Sequence, residues 1–272
     1  MTQASQSSSI PTLLTQHRDL LYQMSVRDIH ARYRGSLLGV LWMILTPLLM
    51  LAIYTFVFGV VFQARWGTNG ESDTLGFALT LYSGLIVHSL LGDVLTRSTS
   101  IILQHGNYVK KVVFPLGILP VMVVSSALFF FIIQLAVLLV VMLLCGYTIP
   151  PTALLIPLVI APLLLFCLGA GWMIASIGVF IRDLQHLMGL LVTMLLFLSP
   201  IFYPASALPE AYRPLLYLNP LTPIIENLRA VLMDSRMPDW NMLAAYALLS
   251  LCFCQLGYVW FNRTRKGFND VL

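Results

Sequence analysis

Apolar residues run through this chain in long unbroken stretches, and its polar positions gather in short clusters between them. Residues 37–62 carry no charge, and neither does the whole of 112–181. A helix that crosses a bilayer needs about 20 mostly apolar residues. The second stretch therefore has room for two crossings, and Gly146-Tyr-Thr-Ile-Pro-Pro151 supplies turn chemistry near its middle. The pattern predicts six spans, near 37–62, 75–95, 116–145, 152–181, 185–203 and 240–262. Ahead of them, Ile10, Leu13, Leu14, His17, Leu20, Leu21 and Met24 recur at helical spacing, with Gln16, Arg18, Asp19 and Gln23 off the stripe. This predicts an amphipathic helix lying in the membrane interface, or else packed on a partner subunit.

Composition sharpens that picture. Of the 272 residues, 59% are hydrophobic and 10% charged, with a mean hydropathy of +0.88. Soluble domains carry about 25% charge, and disorder requires low hydrophobicity and high charge. The chain is expected to be an all-α integral membrane protein. Of the 15 Lys and Arg residues, only Arg65, Arg213, Arg229 and Arg236 fall on one side of the predicted spans. The rest fall on the other side, which the positive-inside bias makes cytoplasmic together with both termini. Residues 1–9 form a polar tail without the basic and apolar regions of a cleavable signal, and are expected to be disordered. The division that follows is 1–9 tail, 10–36 interface region, 37–262 membrane domain and 263–272 cytoplasmic tail.

The segments between spans carry the remaining signals. Ser25-Val-Arg-Asp28 reads as a capping box that restarts a helix. Arg27, His30 and Arg34 then share one basic face just below the membrane, suited to anionic lipid or to an anionic headgroup entering from the inner leaflet. The cytoplasmic loop 96–115 is longer than a turn requires. Its stretch Arg97-Ser-Thr-Ser-Ile-Ile-Leu-Gln-His105 predicts a short amphipathic helix, ended by Gly106-Asn107, that docks on something at that face. The outer segment 204–239 is rich in proline and apolar residues, with helix-like pieces at 207–217 and 222–233, each too short to span. These are read as re-entrant or surface-lying helices, the alternative being a packed cap with no transport role.

Several chemistries have no residues to support them. There is no G-x-x-x-x-G-K-[ST] loop for nucleotide, no clustered carboxylates, no metal-ligand spacing and no basic–aromatic interleaving for nucleic acid. Cys252 and Cys254 point about 200° apart on a helix, and all four cysteines read as packing residues. Near the spans only His88, Asp93 and His186 are ionisable, and Asp93 reads as an interfacial hydrogen-bonding group rather than a proton relay. The spans are instead rich in aromatics: Trp42, Tyr54, Phe56, Phe58 and Phe62 in the first, and Phe197, Phe202 and Tyr203 at the end of the fifth. Stacked aromatic faces suit a sliding glycan, while an interfacial belt is the competing reading. Gly35-Ser-Leu-Leu-Gly39 allows close helix packing and makes a homodimer attractive.

Four strings occur together in order. Arg27-Asp28 with Arg32-Tyr-Arg-Gly-Ser-Leu-Leu-Gly-Val-Leu-Trp42 precedes span one. Asn107-Tyr-Val-Lys-Lys-Val-Val-Phe-Pro115 with Ile118-Leu-Pro120 follows span two. Leu198-Ser-Pro-Ile-Phe-Tyr-Pro204 closes span five, and Leu218-Asn-Pro-Leu-Thr-Pro-Ile-Ile-Glu226 lies in the outer segment. Over about residues 17–265 the chain resembles the permease subunits of ABC-2 type polysaccharide exporters, which move O-antigen, capsule or teichoic acid. Leu116-Gly117 departs from the polar or charged pair that many members place after Phe-Pro, and leaves the start of span three less firmly placed.

The resemblance implies a homodimeric permease in the bacterial inner membrane, docked on two copies of a separate ATPase that holds the ATP and Mg. No cofactor is then expected in this chain. It implies coupling to the ATPase through Arg97, Ser98, Ser100, Gln104 and His105, and a headgroup entrance at Arg27, His30 and Arg34. A glycan pathway is expected along Trp42, Tyr54, Phe58, Phe197, Phe202 and Tyr203, and an outer gate at Tyr212, Tyr217, Asn219 and Glu226. Lipid-linked O-antigen is the first expectation for substrate. A small-molecule exporter of the same superfamily and a membrane glycosyltransferase are the rivals.

Overall fold

A computed structural model of the protein describes residues 10–61, 74–109, 114–207 and 209–271. Every regular element among them is helical. In chain order these are α1 (Ile10–Gln16), α2 (Arg18–Tyr33), α3 (Trp42–Tyr54), α4 (Thr74–Ser98), α5 (Ile101–Gln104), α6 (Gly106–Val109) and α7 (Ile118–Leu144). There follow α8 (Ile156–Phe180), α9 (Leu184–Leu198), α10 (Arg213–Tyr217), α11 (Thr222–Leu232), α12 (Trp240–Thr264) and α13 (Phe268–Val271). Five segments are long and apolar enough to cross a membrane: Gly39–Val57, Leu75–Ser98, Ile118–Leu144, Pro151–Phe180 and Trp240–Gly267. The fifth expected span is the shorter α9, of 15 residues, which ends where Ser199-Pro200 removes the next backbone donor. The polar tail 1–9 and the lysines Lys110 and Lys111 lie outside the described residues.

α4 is the axis of the bundle, with α3, α7, α8 and α9 packed around it. Its sequence allows this, because Gly76, Gly84 and Gly92 thin the helix while Leu81, Ile86, Val87 and Leu91 fill the gaps between its neighbours. The most extensive contact is between α8 and α12. There Gly169 and Gly257 face each other so closely that a Cβ on Gly257 would sit 2.3 Å from the Gly169 carbonyl oxygen. At the far end of α8, Gly178 lies against the backbone of Thr99, and Trp172 donates from its indole nitrogen to the Gly117 carbonyl at 2.9 Å.

Burial along residues 10–24 follows the apolar stripe. Leu13 and Met24 are buried, the other stripe residues are half-buried, and Gln16, Arg18, Asp19 and Gln23 are exposed. Leu13 fills the space beside Gly117 at the start of α7. Three local expectations are corrected. Ser25 does not restart a helix, since α2 runs unbroken through it and the Ser25 hydroxyl is buried. Gly35 and Gly39 are not a helix-packing pair: both sit outside α-helix at positive φ (+85 and +50), with nothing within reach of an added Cβ. Their role is to turn the chain between α2 and α3. The stretch 97–105 is not one helix either, because α4 continues to Ser98, turns at Thr99–Ser100 where Gly178 admits the backbone, and resumes as α5. Gly106 opens α6 rather than closing a helix.

Candidate functional site: a groove between two polar ends

Hydrogen bonds give the bundle two distinct ends. At one, α2 crosses the C-terminus of α4; at the other, α11 packs against its N-terminal half. Between them an open groove of about 410 Å³ runs along α3, α4 and α7. Trp42 and Tyr54 from α3 line it. α4 and α7 add Tyr82, His88, Phe130 and Gln134, which no pattern along the sequence had joined to them. Ser89 donates to the Gln134 side-chain oxygen at 3.1 Å, and the His88 ring nitrogen lies 2.9 Å from the Val192 carbonyl. The lining therefore alternates apolar faces with fixed polar edges, which is the chemistry that binds a sugar ring without holding one register.

Phe197, Phe202 and Tyr203 do not join this lining. They form a second cluster at the end of α9, where Phe197 stacks on Phe202 at 5.9 Å and the Tyr203 hydroxyl donates to the Phe197 carbonyl. The side chain of Phe58 lies outside the described residues.

At the α2 end, four charged side chains interlock. Arg97 donates to both carboxylate oxygens of Asp28, at 2.6 and 2.7 Å, and lies 3.6 Å from Asp93. Asp93 pairs in turn with Arg32, whose guanidinium rests 4.2 Å from the centroid of the Phe130 ring. Both bonds come from one terminal nitrogen of Arg97, and hydrogen bonds between ionised partners are about twice as strong as neutral ones, so they tie α2 to the end of α4. Asp93 is thus the shared ion-pair partner of two arginines. Beside it, Arg27, His30 and Arg34 are all exposed and line a second cavity of about 420 Å³. Arg27 reaches the Tyr108 hydroxyl at 3.4 Å, and Tyr108 stacks on Phe114 at 4.4 Å.

The five residues expected to meet an ATPase divide in two. Gln104 is exposed, with its amide on the Ser100 hydroxyl at 2.9 Å, and Ser100 and His105 are half-buried at the same surface. Ser98 is a correction: it is fully buried, facing Gly171 of α8, and cannot present itself to another chain. Arg97 is committed inward to Asp28 and Asp93.

At the opposite end, proline in the first turn starts α11, as Thr222-Pro-Ile-Ile predicts. This helix is sunk between α4, α8 and α12, with Ile224, Ile225, Leu228 and Val231 fully buried. α10, by contrast, is short, with Tyr217 exposed at its end and Tyr212 exposed just before its start. Asn219 is buried, donating to the Ser199 hydroxyl at 2.9 Å and accepting from the Leu221 amide at 3.0 Å. Burial pushes the Glu226 carboxyl up from its usual range, against the pull of Arg229. Arg229 is 6% exposed. Burial lowers its guanidinium to about 10, still protonated at neutral pH, while Glu226 and Asp234 oppose the shift. Read along the chain, Arg229 is only a cation of the outer segment. The signal that marks it is its place three residues after Glu226 in a short helix rich in apolar residues.

This arrangement (a bundle of long apolar helices, a charged junction at one end and short helices at the other) fits a transporter's membrane subunit. The chain matches the ABC-2 type transporter family over residues 19–233, and it belongs to that family. It is 31% identical over 265 residues to an O-antigen export system permease protein of Myxococcus xanthus, covering 95% of this chain and 97% of the relative. A protein of the same description from Klebsiella pneumoniae is 25% identical, over 93% and 95% of the two chains. A polysialic acid transport protein of Escherichia coli is 24% identical, over 83% and 87%. The chain is a multi-pass membrane permease subunit rather than an enzyme.

Proposed function

We propose that this chain is the channel-forming permease of an ATP-driven exporter that moves a lipid-linked polysaccharide, O-antigen first, from the cytoplasm to the periplasm. The observation that carries this reading is the groove. Trp42, Tyr54 and Tyr82 offer stacking faces beside the polar edges of His88, Ser89 and Gln134. One of its walls, α3, buries only Met43, Pro47 and Leu51 within its own chain. The remaining faces of α3, and much of α9, stay apolar and exposed. A second copy seated there would close the groove into a passage, making the working unit a homodimer. Two copies of a separate ATPase, which carries the ATP and Mg, dock around Ser100, Gln104 and His105. No cofactor is held by this chain. The bacterial inner membrane is its location, with both termini cytoplasmic.

In this account the basic cavity of Arg27, His30 and Arg34 receives the diphosphate of the lipid carrier, while the glycan threads past the aromatic lining. The outer pair, with Tyr212, Tyr217, Asn219 and Glu226, forms the gate. Capsule-type polymer is the second reading, favoured by the likeness to the polysialic acid transport protein. In the reconstituted permease–ATPase complex, Arg34→Ala is expected to reduce ATP hydrolysis stimulated by glycan-lipid more than basal hydrolysis. Equal loss of both would mark a folding or docking defect and contradict the headgroup role.

A further inference from the structure

We propose that Arg229 is the positioning residue that fixes the outer end of α9 to α11, so that the turn 199–201 and α11, with the linker 218–221 before it, move as one body. That this body moves when the pathway opens rests on the exporter reading above.

Three carbonyl groups make the case. In a turn the backbone carbonyls have no helical partner, yet when buried they need one, and inside a membrane protein it must come from the chain itself. In the turn 199–201, just past α9, Arg229 supplies it. One terminal nitrogen donates to the Pro200 carbonyl at 2.5 Å, and the other to the Ile201 carbonyl at 3.1 Å. Its Nε donates at 3.2 Å to the Thr80 carbonyl of α4. The planar guanidinium fork spans three acceptors on two other segments, a geometry that a lysine ammonium cannot reproduce.

The surroundings are built to admit the group. Gly84 faces it, and a Cβ there would lie 3.0 Å from the terminal nitrogen. A second tether runs beside it, since Asn219 donates to Ser199, whose hydroxyl donates to the Leu195 carbonyl. α11 and the linker 218–221 before it are therefore bonded to the turn that closes α9 and not only packed against it. The Thr152 hydroxyl also holds α11, on the Val231 carbonyl at 2.6 Å, so a shift of α9 along its axis must carry α11 and release that bond, or break the Arg229 bonds.

The test uses the full chain assembled with its ATPase, with the four native cysteines replaced by serine. Spin labels stand at Leu198 and Leu218, both exposed, and labelled protein is diluted with unlabelled copies so that only pairs within one chain are read. The expected result is one narrow separation, the same in nucleotide-free and ATP-trapped complexes. Arg229→Lys should broaden it in both states and depress polymer transport while basal ATP hydrolysis persists, a split that simple loss of folded protein would not produce. If Arg229→Lys fails to accumulate, Gly84→Ala displaces the guanidinium while keeping its charge, and should broaden the separation likewise. A native separation that changes between the two states, or variants as narrow as native, would overturn the proposal. The nucleotide-free measurement needs no substrate, so failure of the polysaccharide reading would show separately, as transport activity indifferent to polymer.

Discussion

Gly257→Val is expected to remove most of the protein from the membrane. Its Cβ would lie 2.3 Å from the Gly169 carbonyl oxygen and 2.8 Å from the Gly169 Cα. Both contacts are backbone on the facing helix, so no rotamer change relieves them. Overpacking that side chains can absorb costs about 1–3 kcal/mol. Here only separation of α8 from α12 provides room, and that contact is the most extensive in the bundle. The cost should exceed that range, because parting the helices also surrenders close packing around Phe166 and Phe253, whose rings stack at 4.9 Å. Gly189→Ala is the control, since nothing lies within 4 Å of a Cβ there. Membrane abundance and thermal unfolding in detergent should fall for the first variant and hold for the second. Native abundance of Gly257→Val would show that the two helices are not in this contact.

Asp28→Ala should have the next largest effect, because it strands the Arg97 guanidinium. The two side chains are 17% and 23% exposed. A fully buried pair loses about 3–5 kcal/mol when one partner is removed, whereas an exposed pair is worth about 0–1 kcal/mol. The partial exposure argues for about 1–3 kcal/mol between those limits. Arg97 keeps Asp93 as a second partner, which caps the loss. The functional consequence should be larger than the stability change, since this pair joins α2 to the helix that leads into α5. Asp28→Ala, Arg97→Ala and the double variant form a cycle in which the double loss should be well short of the sum. Additive losses would mean that the two residues act independently and that α2 is held by packing alone.

Much of this architecture could be read from the residues, for identifiable reasons. Long uncharged runs fix where α4, α7, α8 and α12 lie, because the bilayer admits little else. The stripe from Ile10 to Met24 fixes which face of α1 and α2 turns inward, since burial follows the helical period. Where the reading failed, a distant neighbour decided the outcome. The chain bends at Thr99 because Gly178, far along the sequence, admits its backbone. Gly35 and Gly39 share the spacing of a packing motif, yet their positive φ places them in a turn. Spacing alone does not separate those two uses of glycine.

The groove was legible only on α3, and the basic cavity only as the shared face of Arg27, His30 and Arg34. Trp42 and Tyr54 are visible as aromatics in an apolar run, whereas Tyr82, His88 and Gln134 acquire meaning only when α4 and α7 are laid beside them. Asp28, Arg32, Asp93 and Arg97 look like scattered interfacial charges until two helices cross and join them. Arg229 is the extreme case, a cation counted on an outer loop that serves as a buried donor to three carbonyls.

In the proposed function, finished polymer on its lipid carrier passes through this chain. Deleting its gene and locating the cell's lipid-linked glycan by compartment is the test. Long polymer trapped on the cytoplasmic leaflet beneath a bare cell surface is the expected result. Normal surface glycan in the deletion strain would contradict it, and absence of polymer from both compartments would point to synthesis instead of export.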